Sequence, residues 1–133
     1  METLIVKPTT KTPVIKFDMK NGRLEISGKS IPENAAEFYK PLKEYLARYI
    51  EDNKALPTQV DIYLEYFNTA SSKYLLDVFR LLEVFYYRGN KVTVNWYYEE
   101  DDDDMYAAGE DYKALVTLPF NLCMKKIEIE FAN

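Results

Sequence analysis

In the stretch Tyr66–Lys73, YFNTASSK, three aliphatic hydroxyls (Thr69, Ser71, Ser72) crowd beside an amide (Asn68) and an ammonium (Lys73). Alternating VDIYLE precedes it and the apolar run YLLDVFRLLEVFYY follows, so the cluster sits where a strand hands over to a helix. Two chemistries use such a set. A helix begins with unpaired N–H groups, and the side chain of Asn68 or Thr69 would suffice to accept from one of them. The same N–H groups and the positive helix end also favour a phosphate, and Lys73, one turn along, can reach it. A phosphoryl group brings about −1.5 to −2 charge to one surface spot, enough to spoil a complementary interface without unfolding the domain. Capping needs only one of these side chains; a phosphorylation switch also presents hydroxyls crowded at a helix start.

Other chemistries lack their residues. The chain has no histidine, which removes Ser-His and Cys-His catalysis and histidine-based zinc sites. Its glycines, at 22, 28, 89 and 109, fall in no dinucleotide or phosphate-loop pattern. The acidic run Glu99–Asp104 is a candidate cation site. Counted from Asp101, however, the sixth and twelfth positions of an EF-hand loop are Tyr106 and Tyr112, not Gly and Glu. The run reads as a solvated acidic loop. Cys123, the lone cysteine, sits in the apolar setting LPFNLCM and reads as a small buried hydrophobe. Asp61 and Glu65 share a strand face, but nothing marks an apolar pocket to split their pKa values. No catalytic or metal residue is assigned, and the chain is not expected to be an enzyme.

The elements that must position YFNTASSK follow from periodicity and turn signals. Leu4–Val6 reads as a short strand. Val14–Met19 and Leu24–Ser27 flank Lys20-Asn21-Gly22-Arg23, a hairpin signal. Ser30-Ile31-Pro32-Glu33 looks like a helix start, with Ser30 as the cap. Apolar positions from Ala35 to Ile50 keep a helical period, with Pro41 expected to kink or divide the helix. Gln59–Phe67 reads as a strand with Val60, Ile62, Leu64 and Tyr66 on one face and Asp61, Tyr63, Glu65 and Phe67 on the other. A helix from about Ala70 to Tyr87 ends at Gly89. Lys91–Tyr98 is a strand, Met105–Leu115 a weak helix and Lys126–Phe131 a closing strand. The expected fold is a single α/β domain over residues 1–133: a mixed sheet with an N-terminal antiparallel hairpin and packed helices.

Composition narrows the class. Hydrophobic residues make up 47% of the 133, enough for a real core and against global disorder. The net charge of −5 and the lack of a basic stripe argue against nucleic acid and against an anionic membrane surface. The N-terminal METLIVKPTTKTP has no signal-peptide pattern, and no run is long enough to cross a membrane. A cytoplasmic protein is expected.

Three segments carry a resemblance: LEYFNTASSKYLLDVFRLLE, TPVIKFDMKNGRLEISGKSIPENAAEFYKPLKEYL and AGEDYKALVTLPFNL. Together they resemble the SiaC-type regulatory phosphoproteins of bacteria across nearly the whole chain. Ile31 departs from the family in standing where an aromatic precedes PEN, and the acidic run is longer than usual. The resemblance implies a partner-switching protein with a fold like the anti-anti-sigma type. It implies phosphorylation of the FNT threonine, here Thr69, by a dedicated kinase with an ATPase-type fold, reversed by a PP2C-like phosphatase. The unphosphorylated form would bind and activate a diguanylate cyclase, tying the switch to cyclic di-GMP and to surface attachment and biofilm formation. Phe67, Asn68, Thr69, Ser71, Ser72 and Lys73 would form the partner-binding surface. No cofactor belongs to this chain in that reading, since ATP and Mg²⁺ come with the kinase and the phosphatase brings its own metal. The alternative is a constitutive protein-interaction module in which YFNTASSK is only a helix cap.

Overall fold

The structure, a computed structural model, describes residues 3–52 and 56–126. Its elements follow as β1 (Leu4–Val6), β2 (Val14–Asp18), β3 (Arg23–Ser30), α1 (Ala35–Glu51), β4 (Thr58–Phe67), α2 (Thr69–Tyr87), β5 (Val92–Glu99), α3 (Asp103–Leu115) and β6 (Phe120–Lys125). They build one sheet in the order β1-β2-β3-β4-β5-β6. The first three strands are antiparallel and β3 to β6 run parallel. This is the expected mixed α/β sheet with an N-terminal hairpin. Each helical crossover steps one strand in the same direction. With the right-handed sense such connections take, all three helices fall on one face, and the other carries no helix among the described residues. Burial alternates accordingly: Val60, Ile62 and Leu64 are buried on β4, while Gln59, Asp61 and Tyr63 are half-exposed.

Three local expectations change, and a fourth falls almost wholly outside the described residues. The hairpin loop is longer than the Asn-Gly pair: Asp18 pairs with Arg23, and its carboxylate accepts from the Lys20 and Asn21 N–H groups and from the Asn21 amide. Ser30 is not the cap of α1. It ends β3, paired with Phe67 and fully buried, while Asn34 caps α1 by accepting from Glu37 N–H at 3.1 Å. α1 runs through Pro41 as one helix. Pro41 is exposed, so the carbonyl it leaves unpaired can turn to water. The last described strand is Phe120–Lys125; the strand expected over 126–131 lies, apart from Lys126, outside the described residues.

A bulge decides which side chains of β4 face the core. Gly28 pairs with Leu64 but Lys29 pairs with Tyr66, so Glu65 is an extra residue on β4. Past the bulge the alternation reverses. Tyr66, expected on the core face, is 56% exposed. Phe67, expected on the other face, turns inward against Trp96 and Tyr112, with ring centroids 5.9 and 6.5 Å apart.

The acidic run is not a free loop. Asp102 caps α3 by accepting from Met105 N–H at 3.0 Å, and Asp103 and Asp104 occupy its first turn, where carboxylates suit the helix dipole. Replacing Asp102 with Ala should lower stability by about 1 kcal/mol in denaturant melts, and replacing exposed Asp101 should change it by less than about 0.5 kcal/mol.

α3 seats on the fully buried Trp96, whose indole N–H donates to the Met105 carbonyl at 3.0 Å. Gly109 makes the contact possible: a Cβ there would lie 2.6 Å from Trp96 Cδ1 and 2.7 Å from Leu122 Cδ2. Gly109→Ala is therefore expected to destabilise by about 1–3 kcal/mol, although alanine in an exposed helix would stabilise by nearly 1 kcal/mol. A shift in Trp96 fluorescence should accompany the lowered melting midpoint.

The far end of α2 is held by Glu83, which is buried. Its carboxylate accepts from Arg80 at 2.7 Å and from the Thr117 N–H and hydroxyl at 2.9 and 3.0 Å. Burial alone would raise its pKa, but these donors outweigh burial and hold it below the ordinary carboxylate value. A folded-state pKa below the unfolded one gives stability that is present above about pH 4.3 and lost as pH falls through the folded value. Glu83→Gln should cost about 2 kcal/mol at pH 7. That gap from the native protein should close in melts taken progressively below pH 4.

Candidate functional site

The junction between β4 and α2 sorts its polar side chains into two kinds. Asn68 is the cap: its backbone is extended, its side-chain oxygen accepts from Ser71 N–H at 2.8 Å, and its carbonyl accepts from Ser72 N–H at 3.1 Å. Asn68 N–H donates to the Ser30 carbonyl at 3.0 Å, fastening the helix start to β3. Capping is thus complete without Thr69.

Ser71 is fully buried. Its hydroxyl donates to the Ser30 carbonyl at 3.0 Å and accepts from the Ser30 hydroxyl at 2.9 Å, which in turn meets the Tyr39 hydroxyl at 2.6 Å. The chain of bonds joins α1, β3 and α2, and burial pushes the Tyr39 phenol up, so it stays a neutral donor. Ser72 is half-buried and donates to the Thr69 carbonyl at 2.7 Å. Its own carbonyl accepts from the Tyr112 hydroxyl at 2.9 Å, so α3 braces the same helical turn. Burial raises the Tyr112 pKa far beyond the ordinary tyrosine value, which keeps that donor protonated.

Thr69 differs from both. It is exposed, it is the first residue of α2, and its hydroxyl makes no hydrogen bond to any described residue. The Thr69 and Ala70 N–H groups precede the first intrahelical bond and point out of the helix end. The first turn carries no acidic residue. Lys73, also exposed, lies four residues on and so on the same helix face, its ammonium 5.4 Å from the Tyr74 ring centre.

Of the six residues expected to form one surface, Asn68, Thr69, Ser72 and Lys73 reach solvent together. Ser71 does not, because its hydroxyl serves the Ser30–Tyr39 network; Phe67 stays half-buried, its ring turned by the bulge towards Trp96 and Tyr112. Tyr66 is the aromatic exposed in its place. Ser30, Tyr39 and Tyr112, which hold the junction, carry no local signal in the sequence, since each reaches it across the fold. Among the described residues, no cluster of three or more Cys, Asp or Glu side chains is arranged to hold a metal ion, and no helix is long and apolar enough to cross a membrane.

Residues 6–125 match the SiaC family of regulatory phosphoproteins. A protein of Pseudomonas aeruginosa strain UCBPP-PA14 is 31% identical over 120 residues, covering 90% of this chain and 94% of that protein. The crystal structure of apo-SiaC from P. aeruginosa superimposes with a TM-score of 0.85 at 31% identity, covering 92% of this chain and 99% of that one. A crystal structure of the P. aeruginosa diguanylate cyclase SiaD in complex with its activator SiaC contains a chain similar at TM-score 0.87 and 30% identity, with 92% and 99% covered. A family match across nearly all of the described fold, carried by the same sheet and helices, makes this chain a member of the SiaC family of regulatory phosphoproteins.

Proposed function

We propose that this protein is a phosphorylation-controlled adaptor whose unphosphorylated form binds and activates a diguanylate cyclase in the cytoplasm, and that phosphate on Thr69 blocks the contact. The observation that carries the reading is the division of labour at the junction. Asn68 caps, Ser71 and Ser72 are bonded, and Thr69 is the one of the three hydroxyl residues that is exposed and whose hydroxyl has no hydrogen-bond partner among the described residues. A P. aeruginosa relative's complex with a diguanylate cyclase supports the choice of effector. The modifying partners in this reading are a kinase with an ATPase-type fold and a PP2C-like phosphatase. The chain itself regulates an enzyme and performs no chemistry. Tyr66, Asn68, Thr69, Ser72 and Lys73 form the contact surface, with Phe67 and Ser71 supporting it from inside.

Intact-mass analysis after incubation with the cognate kinase and ATP tests the site. One added phosphate on the native protein and none on Thr69→Ala is expected. Full phosphorylation of Thr69→Ala would move the acceptor to another hydroxyl. No phosphorylation of the native protein, with effector binding intact, would favour a constitutive interaction module in which the segment only caps α2.

A further inference from the structure

The sheet face that carries no helix among the described residues holds a cleft of about 260 Å³ at the carboxyl ends of the parallel strands. Its floor is the Tyr63–Tyr97 pair, stacked with ring centroids 4.0 Å apart and planes 10° from parallel. Glu65, Glu99 and Asp102 stand around it, with Lys125 opposite Glu99 in the β5–β6 register. Three carboxylates against one ammonium leave the cleft acidic. The Tyr97 phenol is held far above its ordinary value, first by its hydrogen bond with Tyr63 and then by burial, so it adds no charge.

Lys125 shows what the cleft accepts. Its register neighbour is Glu99, yet it makes no ion pair among the described residues. Its ammonium instead reaches across to lie 5.0 Å from the centre of the Tyr63 ring. An exposed internal cation thus rests on the aromatic floor. A planar guanidinium suits this floor better, because it can stack on the free Tyr63 face and still donate sideways to carboxylates in a fixed fork. The volume falls below the roughly 300–1,000 Å³ of small-molecule sites and fits one side chain. Anionic ligands are repelled by the three carboxylates.

We propose that this cleft receives a single arginine side chain from a protein partner, its guanidinium stacked on the free face of Tyr63, whose other face is stacked on Tyr97, and paired with Glu65 and Glu99, displacing Lys125 towards solvent. The cleft lies on the sheet face that carries no helix among the described residues, with Glu65 next along β4 to Tyr66 of the contact surface.

Aromatic NMR of the full chain, titrated with acetyl-arginine methylamide, tests it. Saturable shifts of the Tyr63 and Tyr97 rings are expected, with a Kd on the order of 1 mM. The neutral citrulline analogue should produce none. Glu99→Gln should weaken the arginine probe roughly threefold to tenfold, and Lys125→Gln should tighten it. Equal shifts with citrulline, no saturation at ten times the expected Kd, or an unchanged affinity in Glu99→Gln would each overturn the proposal. Equal affinity for acetyl-lysine methylamide would overturn the guanidinium assignment.

Discussion

Protein phosphorylated on Thr69 should bind the effector at least roughly a hundredfold more weakly than unmodified protein, while melting no earlier. The net charge is −5, and the phosphate takes it to about −7 with the new charge concentrated at one junction. A partner that packs on Tyr66 and Thr69 must strip water from that phosphate. Unless it supplies an arginine there, the cost is about 3–5 kcal/mol, or two to three and a half orders of magnitude in affinity. The helix itself tolerates the group well. The free Thr69 and Ala70 N–H groups and the positive helix end face it, and Lys73 lies one turn along. Stability should therefore hold or rise. Thr69→Glu should weaken binding less than the phosphate does, having less charge. Thr69→Ala should keep most of the binding and lose less than about 0.5 kcal/mol of stability, because Asn68 and not Thr69 is the cap. Calorimetric titration of the effector against these forms decides the sign. Equal or tighter binding by the phosphorylated protein would reverse it.

Ser71→Asp, only two residues away, should instead unfold the protein or bring it close to unfolding. Ser71 is fully buried and its oxygen lies 3.0 Å from the Ser30 carbonyl, so a carboxylate there would face an acceptor with no cation to pair it. An uncompensated buried charge costs about 3–5 kcal/mol, a large part of the roughly 5–15 kcal/mol that holds an ordinary domain together. Ser71→Ala should lose only about 1–2 kcal/mol, since it leaves one buried hydroxyl donor, on Ser30, without its acceptor. Denaturant melts of Ser71→Asp beside Thr69→Asp give the contrast. A native-like midpoint for Ser71→Asp would mean that the first turn of α2 peels away from β3 easily. Ser71 would then be open to a kinase as well.

Much of this architecture was legible because its signals are local. A period of 3.6 over residues 35–50 and 70–87 marks α1 and α2, and alternation over 59–64 and 92–97 marks β4 and β5. The helix at Asp103–Leu115 showed only a weak pattern, since it buries little beyond Met105, Gly109 and Tyr112. Its cap was hidden inside a run of like charges, where every residue reads as solvated. Ser30 misleads for a related reason: SIPE has the form of a capping box, and only the pairing of Ser30 with Phe67 across the sheet withdraws it from α1.

The sequence by itself determined the α/β class, the hairpin, and the place where β4 becomes α2, because turn chemistry and hydrophobic period are written in neighbouring residues. It also singled out YFNTASSK as the segment where chemistry is concentrated. Which of that segment's side chains reach solvent was decided only by tertiary structure. The bulge at Glu65 comes from the register of β4 against β3, and it exchanges Tyr66 for Phe67 at the surface. Ser30 and Tyr39, 41 and 32 residues before Ser71, bury its hydroxyl, and Tyr112 braces Ser72 from 40 residues beyond. Three hydroxyls that look alike along the chain become one exposed and two engaged. A hydrogen bond depends on distance in space, and local sequence carries no record of what the fold brings alongside.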